Sequence, residues 1–203
     1  MSAPHGFVFR SDPRTYRARR VFDIVTACAG LIVASPILAL TALAVLLEDG
    51  APVFYKQRRV GRFERTFTLY KIRSMRKNDC SDAISPRSST DSRITRVGRF
   101  IRKISIDELP QLVNVIRGDM SLVGPRPEMP FVTLGYERWQ HLRHLTTPGL
   151  TCHWQIEYRK TIPLDHPDAT SLDLHYIRNA SPTLDGLLIL RTLKALLIAK
   201  GAF

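Results

Sequence analysis

From Ile24 to Leu47 the chain runs for 24 residues without a charged side chain, most of them Ala, Val, Ile and Leu. At 1.5 Å per residue that run makes a helix of about 36 Å, against about 30 Å for the hydrocarbon core of a bilayer. A chain of 203 residues built around such a segment has to be organised at a membrane, and residues 21–47 are assigned as the membrane segment. A cleaved signal peptide fits poorly, because the apolar run is long and no small-residue cleavage site precedes Glu48. Ser35-Pro36 interrupts the run near its middle, where proline removes a backbone hydrogen bond and bends a helix. The carbonyl near Ile32 then needs another donor inside the lipid, and the Ser35 hydroxyl can supply one. Arg14, Arg17, Arg19 and Arg20 precede the run, and the residues after 50 carry 25 Lys and Arg against 14 Asp and Glu. Both flanks therefore favour the cytoplasmic side. The expectation is a re-entrant helix that enters and leaves one leaflet. A kinked helix that crosses the bilayer is the alternative the same residues allow.

The remaining chain has the length of one domain, with no internal repeat or low-complexity tract. Residues 1–16 read as an N-terminal extension and 17–203 as one catalytic unit. Thirty Lys and Arg against 18 Asp and Glu give a formal net charge of +12, which calls for an anionic partner: nucleic acid, a membrane surface or a phosphorylated substrate. Cys28, Cys80 and Cys152 are odd in number and lack metal-ligand spacing, so neither a disulfide framework nor a zinc site is indicated, and a reducing compartment is the simpler assumption. The six histidines, His141, His144 and His153 among them, form no metal-spacing pattern.

The stretch Arg99 to Glu128 holds the densest chemistry. Asp107 and Glu108 follow Arg99, Arg102 and Lys103, and are followed by Arg117 and Pro125-Arg126-Pro127. Carboxylates among arginines stay ionised at neutral pH and can act as nucleophile or metal ligand. The plainer alternative is a capping box, Ser105 to Glu108, in which Glu108 only satisfies a helix start. Pro110 opposes that register and favours a helix beginning near Leu109. The helix dipole that draws acids to an N-terminus also draws phosphate.

Around this stretch, Val53-Phe54-Tyr55 and Phe67-Thr68-Leu69-Tyr70 read as a β-hairpin with Arg58–Arg62 as its polar connection. Alternation places Lys71 and Arg73 on one face, before Ser74, where they either converge on an anion or form a solvated strand face. Residues 77–92 read as a loop. Ile94 to Ile104 reads as a basic amphipathic helix suited to an anionic membrane surface. A last amphipathic helix starts at Thr183 or Leu184, docked on the core or lying at the interface.

KQRRVGR at 56–62, YKIRSM at 70–75, RITRVGRFIRKISIDELPQLVNVIRGDMSLVGPRPE at 93–128 and PGLT at 148–151 together resemble the bacterial sugar transferases called monotopic phosphoglycosyl transferases. The resemblance covers roughly residues 17–201, and motif runs of this length and order are highly specific. It extends to the membrane segment, whose Ser35-Pro36 matches the break in the family's re-entrant helix. The fold it implies is an α-rich α+β domain with a single re-entrant membrane helix, a small β-hairpin and interfacial amphipathic helices. The activity it implies is transfer of a sugar 1-phosphate from a UDP-sugar to polyprenyl (undecaprenyl) phosphate, releasing UMP. That is the first membrane step of surface glycan assembly, exopolysaccharide or lipopolysaccharide, at the cytoplasmic face of the bacterial inner membrane. Asp107 matches the nucleophile that forms a covalent phosphosugar intermediate, Glu108 the second acid, and Mg2+ is the implied metal at these two. Arg102 and Arg126 match phosphate-site positions, Lys71, Arg73 and Ser74 the strand motif near the active site, and Arg159 a later substrate-binding arginine.

Cys152 stands where the family usually has glycine after the PG-hydrophobic-Thr motif, and His153-Trp154 also departs from many members. A buried cysteine reads first as a small apolar residue rather than as a nucleophile. A membrane-tethered nucleic-acid binder would account for the basic charge, but not for an Asp-Glu pair between prolines and arginines, and no nucleic-acid partner is expected. The intact pair also argues against a silent scaffold of the same family.

Overall fold

A computed structural model describes residues 13–77, 86, 90–158, 161–162 and 166–197. The loop expected at 77–92 lies largely outside these residues, as do Arg159 and Cys80.

The apolar run is the centre of one long helix, α1 (Pro13–Asp49), which contains Pro36. The stretch Arg17–Asp49 is long and apolar enough to cross a membrane by length and composition. Ser35 Oγ donates to the Ile32 carbonyl at 2.8 Å, the acceptor that Pro36 leaves without its usual donor. Between the two ends the apolar side chains face outward, Ile32 at 73% and Val33 at 80% exposure. The ends are tied down. Arg20 donates to the carbonyls of Val115 and Ile116 at 2.5 and 2.6 Å, Arg19 to that of Val123 at 2.6 Å, and Asp23 accepts the Leu122 amide. At the other end Glu48 accepts the amides of Arg96 and Val97 at 2.8 and 2.9 Å, and Asp49 pairs with Arg73 at 3.1 Å. Ala27 and Val45 are each buried in a different apolar cluster of the same domain.

After α1 come β1 (Phe54–Val60) and β2 (Thr66–Ile72), an antiparallel pair in register from Phe54 opposite Ile72 to Val60 opposite Thr66. The hairpin is where the sequence placed it, but its first strand runs on through Arg58-Arg59-Val60, expected as connection. Arg59 is buried there because its head group is consumed: Nε and Nη2 reach Gln57 Oε1 at 3.1 and 2.7 Å, and Nη1 the Pro127 carbonyl at 3.0 Å. A buried arginine is tolerated when its donors are matched. In β2, Phe67 and Leu69 face the core, and strand alternation carries Lys71 onto the same side.

Helix α2 (Arg96–Lys103) is capped by Thr95, whose hydroxyl accepts the Gly98 amide at 2.8 Å. Its close approach to the strand end requires Gly98, since a Cβ there would lie 1.9 Å from the Ser74 carbonyl oxygen. A 3-10 turn (Ile106–Gln111) leads into α3 (Leu112–Arg117). Buried Asn114 fastens α3 to β2, accepting from the Tyr70 amide at 3.2 Å and donating to the Thr68 carbonyl at 2.7 Å. Next come β3 (Ser121–Val123) and the short helix α4 (Pro130–Thr133). β3 pairs in parallel with β4 (Gly149–Thr151), a second small sheet that residues this short and this far apart in sequence do not announce. Two helices close the fold, α5 (Pro167–Asn179) and α6 (Pro182–Leu197). Asp185 on α6 accepts from the Tyr176 hydroxyl at 2.6 Å and pairs with Arg19 at 3.2 Å, so the last helix is fixed to both α5 and α1.

Candidate active site

Asp107 and Glu108 sit on the 3-10 turn, and both are buried. Pro110 explains the tight turn, because it has no N–H to give an α-helical ladder. The capping-box alternative is not what forms: Ser105 takes a left-handed backbone (φ 57°) and its side chain makes no capping bond. Glu108 turns its carboxylate inward instead. Oε1 accepts from Lys71 Nζ at 2.9 Å and from Arg126 Nη2 at 2.6 Å, and Oε2 accepts from Gln155 Nε2 at 3.3 Å. Arg126 Nη1 completes the ring by donating to Gln155 Oε1 at 2.8 Å.

The electrostatics follow from packing cations around two acids out of water. Burial lowers the proton affinity of Lys71, and Arg126 lowers it further, while Glu108 and Asp107 oppose both. Arg102 is likewise lowered, chiefly by burial, with Asp107 and then Glu108 opposing. For Arg126 burial acts in the same direction, but the charge and hydrogen bond of Glu108 outweigh it and the guanidinium is held above its ordinary value. Asp107 therefore lies within electrostatic reach of Lys71 and Arg102, and Glu108 of Lys71, Arg102 and Arg126. The result is a pocket of fixed positive charge around two carboxylates, an arrangement suited to phosphate oxygens.

Arg126 is held from behind by its own backbone. Four successive carbonyls are each engaged: Pro125 by the Gly149 amide at 2.8 Å, Arg126 by Arg143 Nη2 at 3.0 Å, Pro127 by Arg59 Nη1 at 3.0 Å and Glu128 by the Val60 amide at 2.8 Å. The two flanking prolines offer no donors of their own, so the segment is fixed through its acceptors.

The residues singled out in the sequence divide accordingly. Lys71, Asp107, Glu108, Arg102 and Arg126 come together. Ser74 borders them, its hydroxyl 3.5 Å from Arg102 Nη1. Arg73 departs from Lys71: past the end of β2 it donates to the carbonyls of Asp49 and Gly50 at 3.0 and 2.7 Å, so the two do not converge on one anion through the described groups. Arg117 donates to the Tyr70 hydroxyl at 2.7 Å. Cys152 is buried and its thiol is pushed up to about 12, mainly by burial, which makes it a poor nucleophile. Gln155, Arg59 and Arg143 were not singled out. Arg59 and Gln155 lie in or beside the stretches that carry the resemblance, but only the fold shows what they touch.

The chain also has relatives along nearly its whole length. Residues 14–199 match the model of the family described as bacterial sugar transferase. The chain is 41% identical over 196 residues to the undecaprenyl-phosphate glucose phosphotransferase of Komagataeibacter xylinus, covering 91% of this chain and 37% of that protein. It is 37% identical over 188 residues to the UDP-N-acetylgalactosamine-undecaprenyl-phosphate N-acetylgalactosaminephosphotransferase of Aeromonas hydrophila, covering 91% and 44%. The chain thus spans less than half the length of these two relatives. With an uncharacterized sugar transferase of Bacillus subtilis, EpsL, the match is 40% over 183 residues and covers 90% of this chain and 89% of that protein. Matched along nearly its whole length, with Lys71, Arg102, Asp107, Glu108 and Arg126 of the shared motifs brought together by the fold, the chain belongs to the bacterial sugar transferases.

Proposed function

We propose that the protein is a phosphoglycosyl transferase that moves a sugar 1-phosphate from a UDP-sugar to polyprenyl phosphate, releasing UMP. The observation that carries this is the engagement of Glu108 by Lys71, Arg126 and Gln155 one residue from Asp107. A carboxylate so held makes a poor nucleophile and a good positioning group, which leaves the attack to Asp107. Asp107 forms a bond to the sugar-bearing phosphorus as the bond to the UMP oxygen breaks, and UMP leaves. An oxygen of polyprenyl phosphate then attacks the same phosphorus and frees the carboxylate, giving polyprenyl diphosphosugar. Lys71, Arg102 and Arg126 stabilise the charge spread over the phosphoryl oxygens. Asp107 and Glu108 offer the hard carboxylate oxygens that Mg2+ takes alongside substrate phosphates and water, so the donor set fits that ion. Bound there, Mg2+ would neutralise charge on the donor's diphosphate as UMP departs.

The relatives' printed names support the acceptor, and one of them a UDP-sugar donor. For the membrane helix we favour the re-entrant form. Both ends of α1 are bound to one domain, Arg20 to α3 and Glu48 to α2, as a helix that returns to its own face requires. Cytoplasmic placement of both ends predicts that cysteine probes near residues 15 and 90 resist labelling from the periplasmic side; labelling at residue 90 alone would overturn it. For the chemistry, protein incubated with UDP-sugar and Mg2+ but no acceptor should carry sugar phosphate on the peptide containing Asp107. Asp107→Asn should lose the adduct and turnover together. No adduct, with kinetics that require both substrates bound at once, would defeat the covalent route.

A further inference from the structure

Away from this pocket, the connection between β1 and β2 meets the 3-10 helix Gln140–Leu145. Glu64 Oε1 lies 2.7 Å from His141 Nδ1 and 3.7 Å from His144 Nδ1, and one ligand atom from each of the three residues lies within 4.8 Å of the others. A tetrahedral ion with bonds of about 2.0–2.2 Å needs its ligand atoms roughly 3.4 Å apart. From 2.7 and 3.7 Å, the His141 contact must open by about 0.7 Å and the His144 contact close by about 0.3 Å, movements available to a half-exposed His141 and an exposed Glu64.

His144 supplies the second observation. It is 6% exposed, and neither of its ring nitrogens has a hydrogen-bond partner among the described residues. A separation of 3.7 Å from Glu64 is too long for a hydrogen bond. Buried imidazoles ordinarily satisfy at least one nitrogen, and this ring is held stacked on Tyr136, 6.1 Å between centroids, rather than turned to find a donor or acceptor. The charged groups that act on this ring are the neighbouring Arg143 and, from the hairpin end, Glu64. The Arg143 charge is itself matched by Asp173 and Glu128. Glu64 completes the set from a strained backbone: both it and Phe63 have positive φ, 60° and 54°, without being glycine.

We propose that Glu64, His141 and His144 bind one transition-metal ion of the Zn2+ class, with the fourth position open to water. Two imidazoles and one carboxylate suit Zn2+, Co2+ or Ni2+ and not Mg2+. The ion would clip the hairpin end to the helix that carries Arg143, and so to the backbone of Arg126. Sequence reading missed the set because His141 and His144 are only three residues apart and the third ligand lies 77 residues earlier.

The test uses the full chain without a histidine tag, stripped with EDTA, and titrated with Zn2+ by calorimetry and with Co2+ by visible absorption. One Zn2+ per chain is expected, with Co2+ bands of a four- or five-coordinate site, a higher Tm with Zn2+, and no displacement by excess Mg2+. His141→Gln alters a side chain that is already half-exposed, and should weaken Zn2+ at least about tenfold, a loss that even an outer-shell partner can cause. His144→Gln and Glu64→Gln should do the same, whereas His175→Gln and Asp107→Asn should leave the affinity unchanged. Unaltered Zn2+ affinity in His141→Gln and His144→Gln, or no saturable Co2+ spectrum, would overturn the site. Neither readout needs substrate, so its failure is separate from failure of the transferase reading.

Discussion

Arg126 and Arg143 stand on opposite sides of one stretch of backbone and do different work. The Arg143 side chain is 1% exposed and its guanidinium is consumed inside the protein. Asp173 lies at 2.5 Å, the Tyr136 hydroxyl at 2.5 Å, the Arg126 carbonyl at 3.0 Å and Glu128 at 3.8 Å. The Arg126 side chain, 15% exposed, meets Glu108 and Gln155 in the candidate active site. Residue type alone would class both as phosphate binders. What separates them is the charge the fold sets against each: Arg143 faces two buried carboxylates, Asp173 and Glu128, away from the site, whereas Arg126 meets Glu108 within it.

The comparison is broken most forcefully at Arg143. Replacing it with Met leaves Asp173 and Glu128 buried without their cation, and should cost about 3–5 kcal/mol of stability, read by urea unfolding. A variant as stable as wild type would show that this cluster is not the brace we take it for. The sign of its pH dependence is a second reading of the same substitution. Burial already raises the Asp173 carboxyl to about 6 despite Arg143, and loss of the cation raises it further. A folded-state pKa above the unfolded value means the native state holds the proton more tightly, so stability falls as pH rises between the two values. The Arg143→Met deficit should therefore shrink as pH is lowered from about 7.5 to about 5.5.

Arg126→Ala should lower turnover about 10²–10³-fold, the scale of losing one transition-state donor. Thermal denaturation should move far less than in Arg143→Met; equal damage to both properties would merge the two arginines into one structural class. Arg126→Lys keeps the charge and removes the fork, so it should recover only part of that loss. The smallest effect is expected at Cys152, buried beside Trp154 and Ala169. Cys152→Ala should cost about 1 kcal/mol or less and leave the covalent adduct on Asp107 intact. Native-state alkylation of Cys152 at pH 8 should be far slower than in the unfolded chain, as its raised thiol pKa requires.

Much of the architecture is legible in the sequence alone. The apolar run, the Ser35 hydroxyl as partner for Ile32, the hairpin and the basic helix all rest on local rules: hydropathy, proline chemistry and periodicity. Arg58-Arg59-Val60 was misplaced because charge density reads as loop, and only Gln57 and the Pro127 carbonyl explain a buried arginine in a strand. Alternation pairs Arg73 with Lys71 only while a strand continues, and β2 ends at Ile72, so Arg73 turns to Asp49 and Gly50 instead.

What the sequence determined by itself was the long apolar helix, the Asp107-Glu108 pair and the family, because each is written in contiguous residues. The tertiary structure decided which arginine is bound by Glu108 and which by Asp173, and it brought Glu64 to two histidines far along the chain. Those assignments depend on contacts between residues tens of positions apart, and a side chain's role is set by the donors and acceptors that burial places around it, which no local pattern encodes.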